Sequence, residues 1–209
     1  MEFVPYAFCD DVASTLPAIA ISSLDAVFAE QSVWRSAFAD HRAKRVHLRV
    51  SVGFKDGKWF YKLLQLFVPD GWTCHVPSVS VDLKEVQKTQ RKYVHLRIGR
   101  VWNYCFGSAL SLDEIRSNLK DLSWSVGRTT RLDLFPPKSP KEAIAGLLSS
   151  LSSAPFNEIT VWGYEEGFEE FLRKQIKLGA LKTFKINDGF PPARELKAEF
   201  ERIRRLKLG

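Results

Sequence analysis

Four histidines, three cysteines and a run of glutamates are the residues of this chain best able to do chemistry, so their spacing matters first. His41, His47, His75 and His95 form no HxxxH or HExxH arrangement, so no two sit one helical turn apart as a zinc site on a helix requires. His47 and His95 occupy the between-apolar positions of VHLRV and VHLRI, which predicts that they point away from a core face. Cys74 precedes His75 directly, but adjacent side chains diverge and no further ligand accompanies them. Cys9, Cys74 and Cys105 stand 65 and 31 residues apart without a CxxC, the pattern of reduced packing thiols in a cytoplasmic or nuclear compartment. Cys105 in NYCFGS and Ser108 lack a nucleophile elbow, and no GxxxxGK or GxGxxG is present to cradle a phosphate. Glu165, Glu166, Glu169 and Glu170 gather where a helix should start, and acids there stabilise the positive end of its dipole. The expectation is a non-enzymatic protein: no catalytic residue, no metal and no cofactor.

Two basic clusters offer a different chemistry. Lys84, Lys88, Arg91, Lys92, Arg97 and Arg100 fall within 84–100, and Arg202, Arg204, Arg205 and Lys207 within 202–207. Converging on one face beside Trp102 or Tyr104, they would track a phosphate backbone; this nucleic-acid-binding module is the alternative function. Read separately, they are solvated faces, and no helix-turn-helix, zinc finger or RNA-recognition motif accompanies them. The net charge of +7 raises encounter rates with acidic partners in general and does not choose between these readings.

The elements that must position such residues follow from periodicity. Phe8, Val12 and Leu16 recur every fourth residue, predicting a helix over 5–16 with Pro5 in its opening turn. SSLDAVF restarts after Pro17, with Ser22 or Ser23 as cap and Leu24, Val27 and Phe28 on one stripe. SVWRSAFADHR places Trp34 and Phe38 one turn apart and ends in Arg42, Lys44 and Arg45. From Val46 the period becomes two, through Leu48, Val50, Val52 and Phe54; Asp56-Gly57 then predicts a turn and WFYKLLQLFV a second strand.

Beyond the hairpin a template recurs. Tyr93-x-x-Leu96-x-Ile98, Thr129-x-x-Leu132-x-Leu134, Phe156-x-x-Ile159-x-Val161 and Leu181-x-x-Phe184-x-Ile186 share it, with Leu96, Leu132, Ile159 and Phe184 separated by 36, 27 and 25 residues. Helical segments lie between: SLDEIRSNLKDL with a capping box at Ser111 and Glu114, SPKEAIAGLLSSL with another at Ser139 and Glu142, and EEGFEEFLRKQIKLG stopped by Gly179. A strand-helix unit of this period is expected to bury its apolar face by stacking on its neighbours, as leucine-rich repeats do, although the asparagine of the standard repeat is missing. The helix after Ala193 carries Leu196, Phe200, Ile203 and Leu206 as its expected inner stripe and caps the stack. The fold class is therefore α/β: an N-terminal helical segment over 1–45, then 46–209 as a β-hairpin continuing into a leucine-rich-repeat-like parallel β/α stack. At 209 residues, with apolar runs such as LLQLFV far shorter than the roughly 20 residues of a membrane span, one folded body and no membrane partner are expected.

VPYAFCDDVASTL, the KWFY hairpin and above all GFEEFLRKQIKLGALKTFKI resemble the F-box-associated proteins expanded in nematodes. That family's C-terminal domain is a leucine-rich-repeat-like stack, and its F-box is a helical hook that docks on the Skp-type adaptor of cullin ubiquitin ligases. The F-box pattern opens with Leu-Pro; here Val4-Pro5 stands in its place, and Ser32-Val33-Trp34-Arg35 fits the ending. The resemblance implies partner-binding roles for Pro5, Phe8, Val12, Leu16, Leu24, Val27 and Trp34, a substrate-recruiting adaptor function, and a protein substrate whose identity stays open. A helical piece this short cannot build a rich core alone, so its apolar faces must rest on the next domain or on a partner.

Overall fold

The Asp-Gly turn is where the sheet starts: Asp56 at φ 50° and Gly57 at φ 77° both adopt left-handed backbone, as a tight two-residue hairpin turn demands. It joins β1 (Arg45–Lys55) to β2 (Lys58–Leu66) in antiparallel register, with Val50 opposite Leu63. The computed structural model describes residues 4–16, 21, 24, 27–28, 32–66, 78–82, 84–86, 91–100, 107–124, 126–136, 141–163, 165, 167–187, 189 and 191–208. Cys74, His75, Cys105, the Ser22 and Ser23 caps and the Ser139 cap lie outside them.

Among the described residues, α1 (Tyr6–Thr15) and α2 (Val33–Lys44) precede the hairpin. After it come β3 (Ser78–Ser80), β4 (Arg91–Arg100), β5 (Ser108–Leu110), α3 (Leu112–Trp124), β6 (Val126–Leu134), α4 (Lys141–Ser150), β7 (Glu158–Val161), α5 (Phe168–Leu178), β8 (Thr183–Ile186) and α6 (Ala193–Leu208). The strands form one mostly parallel sheet of eight, in the order β3-β2-β1-β4-β6-β7-β8, with β5 also pairing β2. β1 lies parallel to β4, so the hairpin is the first rung of the stack and not a separate appendage.

The four template positions stand in one row, with Leu96 opposite Leu132, Leu132 opposite Ile159 and Ile159 opposite Phe184. Val50 extends the row and Val52, Ile98, Leu134, Val161 and Ile186 form the next. Because side chains alternate along a strand, both rows face the same side. There they join a single apolar core with Ile115 and Leu119 of α3, Leu147 of α4, Leu172 and Ile176 of α5, and Leu196 and Phe200 of α6. Burying each such side chain is worth about 1.5–3 kcal/mol, which makes this face the principal stabiliser.

The helix ends obey their local signals where they are described. The Ser111 hydroxyl accepts from the Glu114 N–H at 3.2 Å while Glu114 Oε2 accepts from the Ser111 N–H at 2.8 Å, closing the capping box. α5 stops at Gly179, which takes φ 67°. Leu206 corrects the expected stripe of α6: it is 72% exposed, one turn beyond the half-buried Ile203. Pro5 caps α1 and stands outside its first turn.

Candidate functional site

The N-terminal helices build a second, smaller apolar cluster of their own. Ala13, Ile21 and Phe38 are its buried members, with Leu16, Leu24, Phe28 and Trp34 packed against them. Small residues let α1 and α2 approach closely, since Cys9, Ala13 and Ala37 are all fully buried. Burial raises the Cys9 thiol above its ordinary range, which suits a packing role. Polar ties flank the contact: the Tyr6 hydroxyl donates to Asp40 Oδ2 at 2.8 Å, and buried His41 places Nε2 3.1 Å from Asp10 Oδ1. The Ser32 hydroxyl caps α2 by accepting from the Arg35 N–H at 3.2 Å.

Aromatic rings fix the outer rim. Trp34 stacks on Phe28 with ring centroids 5.8 Å apart and planes 16° from parallel, meets Phe38 at 5.8 Å, and meets Phe8 edge-on at 6.0 Å. The seven residues implicated by the resemblance thus divide by exposure. Leu16, Leu24 and Trp34 support the cluster and Val12 is half-buried, while Pro5, Phe8 and Val27 face outward. Phe8 is 54% exposed and Val27 76%, and they are joined by Tyr6 and Val33, which the sequence reading did not single out. Tyr6 opens α1 and Val33 opens α2.

A polar surface occupies the sheet face opposite the core. One row across it runs Arg49, His95, Arg131, Glu158 and Thr183, and the next Ser51, Arg97, Asp133, Thr160 and Lys185. His95 faces away from the core, as its position in VHLRI predicts. Asp133 is the hub: His95 Nε2 donates to Oδ2 at 2.8 Å, Arg131 Nε and Nη2 donate to Oδ1 at 3.1 and 3.0 Å, and Arg97 Nε lies 3.7 Å from Oδ2. Burial works to raise the Asp133 carboxyl, but its interaction with His95 and the charge and hydrogen bonds of Arg131 outweigh it and hold the carboxyl below its usual range. Burial lowers His95 despite the carboxylate beside it, assisted by the charges of Arg97 and Arg131. Glu158 is shared by Arg131 at 3.5 Å and Lys185 at 3.6 Å. Beyond the charges, Phe135 and half-exposed Trp162 stack with centroids 5.6 Å apart and planes 1° from parallel. Among the described residues the hub carboxylate is thus held by one imidazole and one guanidinium, with a second guanidinium nearby.

Of the two basic clusters, the placed arginines lie on different sides of the sheet. Arg97 belongs to this polar face, whereas Arg202, Arg204 and Arg205 lie on the exposed side of α6, across the sheet. Lys88 and the side chains of Arg91, Lys92, Arg100 and Lys207 lie outside the described residues. Among the described residues no group of three His, Cys, Asp or Glu is placed to hold a metal ion. No described helix is long and apolar enough to cross a membrane. No protein-family model, curated protein or solved structure matches the chain.

Proposed function

We propose that this chain is a non-enzymatic recognition protein of the cytoplasm or nucleus, acting as a substrate-recruiting adaptor. Its N-terminal helices would dock on a Skp-type cullin adaptor while the β/α stack presents a target. One observation carries the reading. Of the eight large apolar side chains exposed among the described residues, Tyr6, Phe8, Val27 and Val33 belong to this helical segment. Wet aromatic and aliphatic groups concentrated on a small helical unit favour a protein partner, because covering them removes apolar area from water. The implicated residues support the same reading, since Phe8 and Val27 are exposed and Trp34 meets Phe8 edge-on.

The alternative nucleic-acid role would have to use one basic cluster alone, because Arg97 and the arginines of α6 serve opposite sides of the sheet. Its binding would weaken steeply with salt.

The test is a titration of purified full chain with a Skp-type adaptor. Phe8→Ser and Val27→Asp, both at exposed positions, should each weaken a micromolar complex about tenfold or more while leaving the melting temperature unchanged. Trp34→Ala is the less informative change because it also removes a ring from the cluster. Absence of a complex at micromolar concentration, or indifference to both outward substitutions, refutes the adaptor role.

A further inference from the structure

Between α5 and α6 the surface opens into a cleft of about 360 Å³. Ile176, Leu181, Phe200 and Ile203 provide its apolar walls, and its charged lining groups are Lys182 and Arg204. Among the described residues no carboxylate lines it. The local chain path explains this composition: Gly179 reverses the backbone at φ 67°, so Leu181 turns inward and is buried while Lys182 is left exposed beside it. The Lys182 N–H donates to the Asn157 carbonyl at 2.7 Å, which fixes the base from which its side chain projects. Lys182 forms no ion pair among the described residues, and Arg204 has only Glu201 at 3.9 Å, with both side chains about half exposed.

An apolar trough whose rim carries cations and no lining acid selects a ligand with an apolar body and a negative flank. A basic ligand would leave both rim cations facing like charge, and a wholly apolar one would desolvate them without compensation. The two rim cations stand on different elements, Lys182 just before β8 and Arg204 on α6, so carboxylates flanking one aliphatic side chain can meet both, whereas a free acyl chain brings a single carboxylate. We infer that the cleft between α5 and α6 binds an acidic peptide segment, seating one aliphatic side chain against Leu181 and Phe200 with flanking carboxylates on Lys182 and Arg204. The site is independent of the N-terminal helices, and failure of adaptor docking would leave it intact.

The experiment uses the full chain and fluorescein-labelled peptides read by anisotropy at low salt. A peptide with a central leucine between glutamates should bind, and partners carrying serine for leucine, or lysines for glutamates, should bind about tenfold more weakly or less. The double variant Lys182→Glu/Arg204→Glu should reverse the preference, binding the lysine-flanked peptide better. Decanoate supplies the free-lipid arm, and binding of decanoate without the glutamate peptide overturns the inference. Equal binding of glutamate- and lysine-flanked peptides, or a preference unmoved in the double variant, also overturns it. Should the double variant melt early, Lys182→Gln, which removes one exposed charge, must lower affinity for the glutamate peptide several-fold for the inference to stand.

Discussion

Asn157 and Thr130 exchange two hydrogen bonds: the Asn157 N–H donates to the Thr130 carbonyl at 2.9 Å, and the Thr130 N–H donates to Asn157 Oδ1 at 3.3 Å. On its other side Asn157 Nδ2 donates to the Ala180 carbonyl at 3.3 Å, and its own carbonyl accepts from Lys182 and Thr183. One residue therefore ties the middle of β6 to the approaches of β7 and β8. Asn157→Leu should cost about 2–4 kcal/mol, since it strands a backbone donor and a backbone acceptor in a partly buried place. Urea unfolding checks this; a loss below 1 kcal/mol would mean that water replaces the amide freely.

The His95–Asp133 pair sets a pH dependence. With His95 held below its ordinary value of 6.5, the unfolded chain takes up a proton that the folded chain resists, so stability falls as pH drops through that region. With Asp133 held below 3.8, a second loss follows at more acidic pH, where the carboxyl must protonate against its partners. The urea midpoint should decline between pH 7.5 and pH 5.5, and His95→Gln should make that decline shallower. An unchanged slope in the variant would remove His95 from the account.

Removing the hub itself is a harsher change. Asp133→Ala leaves Arg131 and Arg97 on the sheet face without the carboxylate between them and should cost about 3–5 kcal/mol, the range for breaking a buried pair from one side. Thermal or urea unfolding of the variant measures it, and a cost under 1 kcal/mol would mean that solvent already reaches these groups.

Gly99 offers a steric test. It adopts φ 138°, and a β-carbon there would come within 2.1 Å of the Phe135 carbonyl oxygen. Phe135 is held in place by its N–H donating to the Ile98 carbonyl at 2.8 Å, so neither backbone can yield cheaply. Gly99→Ala should destabilise by about 2–4 kcal/mol. Wild-type stability in this variant would require the two strands to part without penalty.

Arg173 joins α5 to α6 through Glu195 and Glu199, each at 3.1 Å, and pairs within α5 with Glu169 at 2.8 Å. Its side chain is about one-third exposed, so screening limits the gain, and Arg173→Ala should cost about 1 kcal/mol at low salt. The difference from wild type should shrink in 1 M sodium chloride, where the screening length falls to about 3 Å. A salt-independent loss would assign the effect to packing of the methylene stem.

Much of the fold could be read because its rules are periodic. Leu96, Leu132, Ile159 and Phe184 repeat at spacings that allow a helix between each pair of strands, and they stand in adjacent register. The hairpin was legible from Asp56-Gly57, but its union with the stack was not, because parallel pairing of β1 with β4 leaves no local trace. β3 and β5 have three residues each, too few for alternation to register. Asn157 has no local signature, because it stands just before its strand and its partners Thr130 and Ala180 are 27 and 23 residues away. The Asp133 hub was equally hidden, since polar residues in VHLRI and RLDL read as solvent-facing until a neighbouring strand brings them together. At the N-terminus spacing placed Phe8 and Trp34 on helices, yet which of them faces water depended on how α1 lies on α2.

The order of the parallel strands has a consequence for the nascent chain. β1, β4, β6, β7 and β8 lie side by side in the sequence in which translation delivers them, so each arrival finds its neighbour already in place and no rung waits for a later one. Between one arrival and the next, every partial product carries a fresh sheet edge ready to capture another polypeptide, an edge that the following strand then pairs.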